Sequence, residues 1–301
     1  MNRLHRSTQH FLGRIRPRLR RGAFLGTLLS AALLSTTLLG GSLGASAATA
    51  ANTTKATRFT IYVAGDSTAS IYSADYAPRT GWGQALPVFT GSGVIVRDAA
   101  LSGASSKSFA DLGLLDQILS TISPGDYLLI SFGHNDEKTD EARHTDPYTT
   151  YQSYLRRYLD GARQHGAHPV LVTPVERRRF DTAGHALLSH GEYPAAMRQL
   201  AAAEGVPLID LTASSRARWE ALGPEGTKAE FLWLDPGANA NYPDGVQDNT
   251  HFQAHGAIEV ARLIGQALRR QRVMPADSLV RLYGTTIPDS AIIWPATVAV
   301  G

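Results

Sequence analysis

Short apolar runs alternate along this chain with segments of helical periodicity, and this alternation limits the folds that are open to it. Five runs are predicted to be strands, at residues 59–64, 94–96, 127–132, 169–172 and 206–209. Helices are predicted at about 84–89, 112–119, 148–165, 193–204, 212–222 and 252–272. Strands that alternate with helices favour a mostly parallel sheet covered by helices on both faces. We therefore predict an α/β fold.

Two segments lack such patterns and are predicted to be loops. Residues 176–191 are polar and irregular, which is typical of a surface loop. Residues 224–247 are rich in Pro, Gly and Asn and are predicted to form a second, longer loop.

The first 47 residues have the composition of an export signal. Seven arginines and no acidic residue are followed by an interrupted apolar run at 23–43, and Ala45-Ser46-Ala47 has the pattern of a cleavage site. We predict that residues 1–47 are removed and that the mature protein is secreted. A retained membrane anchor is the alternative. The pair Arg20-Arg21 suggests twin-arginine export, although its spacing is one residue off the usual form.

The rest of the chain is predicted to hold one domain. Residues 48–56 are small and polar and are predicted to be a flexible start, and residues 57–275 form the domain. The tail at 276–301, with a short apolar stretch at 291–294, is left without a predicted role.

Charge and cysteine content restrict the partners and the chemistry. Removing the seven arginines of residues 1–47 turns the net charge of +3 into −4, so the mature protein gives no sign of a nucleic-acid or anionic-membrane partner. The chain has no cysteine, which excludes thiol catalysis, Cys-ligated zinc and iron–sulfur clusters. We expect a monomer without stable membrane association after signal removal.

Polar motifs follow three of the predicted strands. They are Gly65-Asp66-Ser67-Thr68, Ser102-Gly103 and Gly133-His134-Asn135-Asp136. The carboxyl ends of parallel strands share one edge of the sheet, so these three loops can converge there.

A Ser-His-Asp set can be assembled at that edge. Asp248 and His251 are three residues apart, so on a helical turn or tight loop both can face one point. A serine hydroxyl needs a base, which His251 can provide for Ser67, and Asp248 can orient the imidazole.

Attack on an ester carbonyl also needs donors for the oxyanion that forms. The backbone N–H groups of Ser67 and Gly103 and the side-chain amide of Asn135 can supply three. Glycine at position 103 lets the backbone approach closely because it has no Cβ.

These motifs resemble the four blocks of the SGNH (GDSL-type) hydrolases, in order. Gly-Asp-Ser-Thr at 65–68, Gly-His-Asn-Asp at 133–136 and Thr-His-Phe at 250–252 are similar to the rhamnogalacturonan acetylesterase branch. The resemblance spans about residues 58–268 and implies a three-layer, flavodoxin-like fold with a five-stranded sheet. It also implies that Ser67, Gly103, Asn135, Asp248 and His251 form the catalytic set, without a metal or organic cofactor.

Asp98 departs from the family pattern, which often has Asn in the second block. Because Asp98 precedes the glycine of the oxyanion hole, we expect altered bracing of that loop rather than loss of catalysis.

Three further residues are candidates for substrate contact. Trp82 can stack on a sugar ring or pack in the core. His134 can contact substrate, act as a general acid or brace the loop. Arg178 lies in an arginine run that is either a solvated face or a binder of galacturonate carboxylates.

The sequence therefore predicts a secreted serine esterase that removes acetyl groups from an acetylated plant cell-wall polysaccharide or oligosaccharide, with rhamnogalacturonan favoured. One alternative is the same chemistry on acetylxylan, a small acyl ester or a lipid. The other is a carbohydrate-binding protein without catalysis.

Overall fold

The computed structural model describes residues 58–298, so the predicted export signal at 1–47 and the predicted flexible start at 48–56 lie outside the described residues. The strands within the described range are β1 (Phe59–Gly65), β2 (Arg79–Thr80), β3 (Val94–Asp98), β4 (Tyr127–Ser131), β5 (His168–Val172), β6 (Leu208–Ile209), β7 (Phe231–Leu234) and β8 (Val246–Gln253). The α-helices are α1 (Trp82–Ala85), α2 (Ser106–Asp111), α3 (Leu114–Leu119), α4 (Gln152–Gln164), α5 (Tyr193–Glu204), α6 (Leu211–Gly226) and α7 (Ala254–Arg270).

Five strands form a parallel sheet in the order β3-β1-β4-β5-β6. Numbered among themselves along the chain, these strands have the order 2-1-3-4-5, which is the flavodoxin-like arrangement. The predicted α/β fold with a five-stranded, mostly parallel sheet is confirmed. The strand β1 lies between β3 and β4, so the loops that follow these three strands meet at one edge.

The sheet separates two apolar layers because successive side chains of a strand point to opposite faces. From β1, Ile61 and Val63 pack in one cluster with α7, whereas Tyr62 and Ala64 pack in the other with α4. The helices α2, α3 and α5 cover the same face as α4. Helices on both faces of the sheet make the three-layer arrangement.

A second, antiparallel sheet has the order β2-β8-β7 and carries two of the predicted catalytic residues. The prediction of one loop over 224–247 is wrong at this point, because β7 and the start of β8 lie within it. Residues 231–234 are an apolar run that the neighbouring Pro, Gly and Asn residues obscure. The final helix begins at Ala254 rather than at 252, because Phe252 pairs with Phe231 and Thr80 in the small sheet.

Several helix boundaries also differ from the predicted ones. The segment predicted as a helix at 112–119 begins only at Leu114 as α3, and α2 lies before it, because Gly113 with its φ of +76° separates the two helices. The helix predicted over 148–165 opens with a π-helical turn at Pro147–Tyr151 before α4. The helix predicted at 84–89 begins two residues earlier, at Trp82, and tightens into a 3₁₀ turn at Leu86–Phe89, which contains Pro87.

The C-terminal tail packs on the same apolar cluster as α7. Its buried side chains in that cluster are Leu279, Leu282, Ile287 and Ile292. The apolar stretch at 291–294, which the sequence left unplaced, contributes Ile292 and the partly buried Trp294. Within residues 58–298, none of the helices combines the length and the apolar character needed to cross a membrane.

Candidate active site

Ser67 lies on a tight turn directly after β1. The backbone carbonyl of Asp66 accepts hydrogen bonds from the N–H groups of Ala69 and Ser70, at 3.0 and 3.1 Å. The Asp66 carboxylate accepts the N–H and the hydroxyl of Thr68, at 2.9 and 2.8 Å. Burial raises the pKa of Asp66, and these hydrogen bonds oppose the rise. The turn therefore holds Ser67 at the carboxyl edge of the sheet.

The structure brings Ser67, His251 and Asp248 into one hydrogen-bonded line. The Nε2 of His251 lies 2.9 Å from the Oγ of Ser67, and its Nδ1 lies 2.7 Å from Oδ2 of Asp248. Burial alone would raise the pKa of Asp248, but hydrogen bonding and the charge of His251 lower it to about 2. Asp248 is thus a carboxylate that can orient the imidazole and stabilise its protonated form.

The turn around Asp248 is built by backbone contacts of its own carboxylate. The Oδ1 of Asp248 accepts the N–H groups of Thr250 and His251, at 2.7 and 3.0 Å, while Oδ2 bonds the His251 ring. The sequence predicts a helical turn or tight loop here. The structure places this compact turn within β8.

Arg178 braces this turn rather than facing substrate, which corrects its predicted role. Its Nε donates to Thr227, its Nη1 to Asn249 and its Nη2 to the carbonyl of Pro224. The side chain also stacks on Trp233, with 4.4 Å from the guanidinium carbon to the ring centroid. Because these donors are bonded to the protein, Arg178 supports Asn249, the residue after Asp248.

The three predicted oxyanion donors lie on the loops after three adjacent strands. Among residues 58–298, the N–H groups of Ser67 and Gly103 have no hydrogen-bond acceptor. Asn135 donates one N–H of its amide to the carbonyl of Ala104 at 2.9 Å, which leaves its second amide hydrogen for a ligand. Gly103 has a φ of +84°, a conformation that favours glycine. The arrangement leaves three N–H groups available to an oxyanion.

The loop that carries Asn135 is anchored by its neighbour Asp136. The buried carboxylate of Asp136 accepts the N–H of Ser106 at 3.1 Å and the hydroxyl of Thr145 at 3.0 Å. Burial raises the pKa of Asp136 to about 7, with the hydrogen bonds from Ser106 and Thr145 opposing the rise. These contacts tie the loop after β4 to the start of α2.

His134 is not positioned to touch a substrate, which corrects the predicted contact. The residue is only 3% exposed, and its ring packs edge-on against His190 with 4.3 Å between centroids. Both ring nitrogens are buried without a hydrogen-bond partner among the described residues. Burial, with His190 and Arg177 adding to it, holds the pKa of His134 well below its usual value. A neutral imidazole therefore fills the space beneath the Asn135 loop.

Trp82 is also not a substrate contact in this structure. Its exposed fraction is 0%, and it lies in the apolar cluster that contains α7. The backbone N–H groups of Trp82 and Gly83 bond the carbonyls of Thr68 and Ala69, at 2.9 and 3.0 Å. The residue supports the turn that carries Ser67, and the stacking alternative is wrong here because no face of the ring is free.

Two residues beside the site were not predicted from the sequence. Tyr72 donates its hydroxyl to the carbonyl of Ser67 at 2.6 Å, and the guanidinium of Arg79 stacks on the Tyr72 ring at 4.4 Å. The two residues form no recognisable sequence motif. Only the contacts of the folded chain show that they lie beside Ser67. Within residues 58–298, the His, Asp and Glu side chains form no group of three that could hold a metal ion.

The chain is similar to known esterases in sequence. Residues 63–257 match the model of the GDSL-like Lipase/Acylhydrolase family. The rhamnogalacturonan acetylesterase RhgT of Bacillus subtilis (strain 168) is 47% identical over 224 residues, which cover 74% of this chain and 95% of the relative. The probable rhamnogalacturonan acetylesterase YesY of the same organism is 39% identical and covers 73% of this chain and 97% of the relative.

A solved structure agrees with this similarity. The crystal structure of the protein YxiM from Bacillus subtilis superposes with a TM-score of 0.61 at 32% identity, covering 72% of this chain. The chain spans 58% of the length of that structure. Together with the family match, these similarities make the chain a carboxylic ester hydrolase. It belongs to the GDSL-like Lipase/Acylhydrolase family, the SGNH hydrolases.

Proposed function

We propose that this enzyme removes acetyl groups from rhamnogalacturonan, with Ser67 as the nucleophile. The observation that carries the chemistry is the hydrogen-bonded line from Ser67 through His251 to Asp248, with distances of 2.9 and 2.7 Å. The support for the polymer is the 47% identity to a relative named rhamnogalacturonan acetylesterase, which the chain covers almost completely.

In the first half of the reaction, Ser67 attacks the acetyl carbonyl. The Oγ–carbon bond forms while Nε2 of His251 takes the hydroxyl proton, and the carbonyl electrons move onto the oxygen. This oxyanion accepts hydrogen bonds from the N–H groups of Ser67 and Gly103 and from the Asn135 amide. The oxyanion then collapses, the ester bond breaks, and His251 gives its proton to the sugar oxygen, which leaves as a hydroxyl.

In the second half, water replaces the sugar. His251 takes a proton from water, whose oxygen attacks the acetyl-enzyme carbonyl at the same oxyanion site. Collapse of this intermediate breaks the bond to Oγ of Ser67, which receives the proton back from His251. Acetate is released, and Asp248 stabilises the imidazolium in both halves.

We propose further that the enzyme acts outside the cell after export. The support is the arginine-rich, apolar and small-residue pattern of residues 1–47, which lie outside the described residues. N-terminal sequencing of protein from the culture medium tests this proposal. A mature start near residue 48 supports it, and protein that stays with the cells and begins at residue 1 contradicts it.

The substrate is tested by acetate release from acetylated rhamnogalacturonan, acetylated xylan and p-nitrophenyl acetate. Each is incubated with the protein and with Ser67→Ala as the matched control. We expect release chiefly from rhamnogalacturonan, lost in Ser67→Ala. Release chiefly from xylan or only from the small ester would support ester hydrolysis by Ser67 but reject rhamnogalacturonan as the substrate. No Ser67-dependent release from any of the three would reject the acetylesterase proposal.

A further inference from the structure

Arg79 is a cation beside the active site without an anion to balance it. Among residues 58–298, no carboxylate oxygen lies within the 4.0 Å that defines an ion pair with its guanidinium. Its Nε is buried without a hydrogen-bond partner, and the residue as a whole is partly exposed. Removing part of a guanidinium from water costs free energy unless a partner compensates for it. An arginine in this state is suited to receive an anionic ligand.

The position of Arg79 is tied to the catalytic serine through Tyr72. The guanidinium carbon lies 4.4 Å from the centroid of the Tyr72 ring, and the Tyr72 hydroxyl donates to the carbonyl of Ser67. Burial raises the pKa of Tyr72 to about 12, and the charge of Arg79 opposes this rise. The side chain of Tyr72 therefore contacts both Arg79 and the backbone of Ser67.

Arg79 is also close to the other side of the triad. Its strand, β2, pairs with β8, which carries Asp248 and His251. Burial raises the pKa of Tyr242, an effect that the charge of Arg79 opposes and that of Asp248 reinforces. The Tyr242 hydroxyl also donates to the carbonyl of Tyr76 at 3.1 Å, so the loop before β8 contacts the segment that precedes Arg79.

The backbone at Arg79 is held in place from a distant part of the chain. The indole Nε1 of Trp294, in the C-terminal tail, donates to the carbonyl of Arg79 at 3.0 Å. The N–H of Ala74 donates to the carbonyl of Pro295 at 2.8 Å, which anchors the same loop. A side chain on such an anchored strand can offer its donors in a fixed place.

We propose that Arg79 binds a galacturonate carboxylate of the substrate close to the acetyl ester, and thereby selects acidic polysaccharide substrates. This inference rests on the proposed function. A planar guanidinium matches a carboxylate with two parallel hydrogen bonds, whereas a neutral sugar offers no charge to it. Arg178 is less suited to this role, because each of its three guanidinium nitrogens already donates to the protein.

The test compares two forms of one substrate. Acetylated rhamnogalacturonan oligosaccharides are used as they are and after reduction of their carboxylates to primary alcohols. Steady-state kinetics are measured for the wild type, Arg79→Met and Arg79→Lys. Arg269→Met, an exposed arginine in the last turn of α7, is the matched control.

We expect Arg79→Met to raise KM on the acidic substrate roughly 10- to 100-fold, with a much smaller change in kcat. On the carboxyl-reduced substrate, Arg79→Met and the wild type should be alike. Arg79→Lys should recover part of the difference because it keeps the charge but not the paired donors. Equal losses of Arg79→Met on both substrates would overturn the proposal, since they would indicate a role in supporting Tyr72.

A second measurement separates this proposal from the proposed function. Deacetylated rhamnogalacturonan oligosaccharides are tested as inhibitors of p-nitrophenyl acetate hydrolysis. We expect inhibition of the wild type and of Arg269→Met, and at least about tenfold weaker inhibition of Arg79→Met. Inhibition that is absent in the wild type or unchanged in Arg79→Met would overturn the role of Arg79. Arg79-dependent inhibition without acetate release from the polymer would support it while rejecting the proposed function.

Discussion

The Oγ of Ser67 lies 2.9 Å from Nε2 of His251, although the two residues are 184 positions apart in the chain. The turn after β1 presents the serine, and the small antiparallel sheet brings the histidine to it. The catalytic contact therefore depends on both sheets. The large sheet provides the edge and the three candidate oxyanion donors, and β8 provides the histidine and the aspartate.

Asp248→Asn should lower kcat by about 10³- to 10⁴-fold, with little change in the fold. The Oδ2 of Asp248 accepts from Nδ1 of His251, so an amide –NH₂ in that place would favour the wrong tautomer of the ring. Oxygen at the Oδ1 position can still accept the two backbone N–H groups of the turn. Stopped-flow or steady-state kinetics on p-nitrophenyl acetate provide the measurement. A loss below about tenfold would show that the carboxylate does not orient the base.

Asn135→Ala should lower kcat by about 10²- to 10³-fold and leave KM nearly unchanged. The amide hydrogen that faces away from Ala104 is available to the oxyanion, which forms only along the reaction path. Loss of the bond to the Ala104 carbonyl is a structural cost, so the melting temperature is measured in parallel. An unchanged kcat in a folded variant would remove Asn135 from the oxyanion hole.

Asp98→Asn should stabilise the protein at alkaline pH. The Oδ2 of Asp98 is buried without a partner, and burial raises the pKa of this carboxyl to about 8, with the N–H of Ala100 opposing the rise. A raised folded-state pKa gives stability that is complete below about pH 4 and is lost as the pH rises through about 8. Asparagine stays neutral, so it avoids this loss.

Thermal unfolding at several pH values measures this effect. The melting temperature of Asp98→Asn should exceed that of the wild type at pH 9, and the difference should shrink towards pH 4. A difference that is the same at both ends of the range would show that Asp98 does not titrate as its burial implies.

Trp82→Phe should reduce stability without affecting substrate binding. The indole is 0% exposed, so its replacement leaves a small cavity that costs roughly 1–2 kcal/mol. The KM for acetylated rhamnogalacturonan should stay within about twofold of the wild-type value, since the buried indole makes no contact with the substrate. Denaturant unfolding and kinetics on one preparation test both statements. A raised KM at full stability would instead support stacking on a sugar.

The sequence indicated the large sheet, and it indicated which polar residues would lie close together at its edge, for physical reasons. The strands of a parallel sheet are short and apolar throughout, and their positions in the chain place Ser67, Gly103 and Asn135 at one edge. The spacing of Asp248 and His251 suits a shared turn, and the structure joins them directly. Residues that lie at strand ends, or a few positions apart in one turn, can be recognised as candidate site residues from the sequence alone.

The sequence could not indicate contacts between loops that are far apart in the chain but close in the folded structure. The strand β7 is four residues long within a Pro- and Gly-rich segment, so its pairing with β8 carries little local signal. Trp82 and Arg178 looked like site residues because of their type, and only their burial and hydrogen bonds show the supporting roles. Arg79 depends on a stacking contact with Tyr72.

We expect Ser67 to form a covalent acetyl-enzyme during turnover. Rapid acid quenching of the enzyme with p-nitrophenyl acetate, followed by proteolysis and mass spectrometry, tests it directly. We predict one added acetyl group on the peptide that contains Ser67, and none on the same peptide of Ser67→Ala. Hydrolysis that proceeds with no acetyl group on Ser67 at any quench time, or that persists in Ser67→Ala, would contradict nucleophilic catalysis by Ser67.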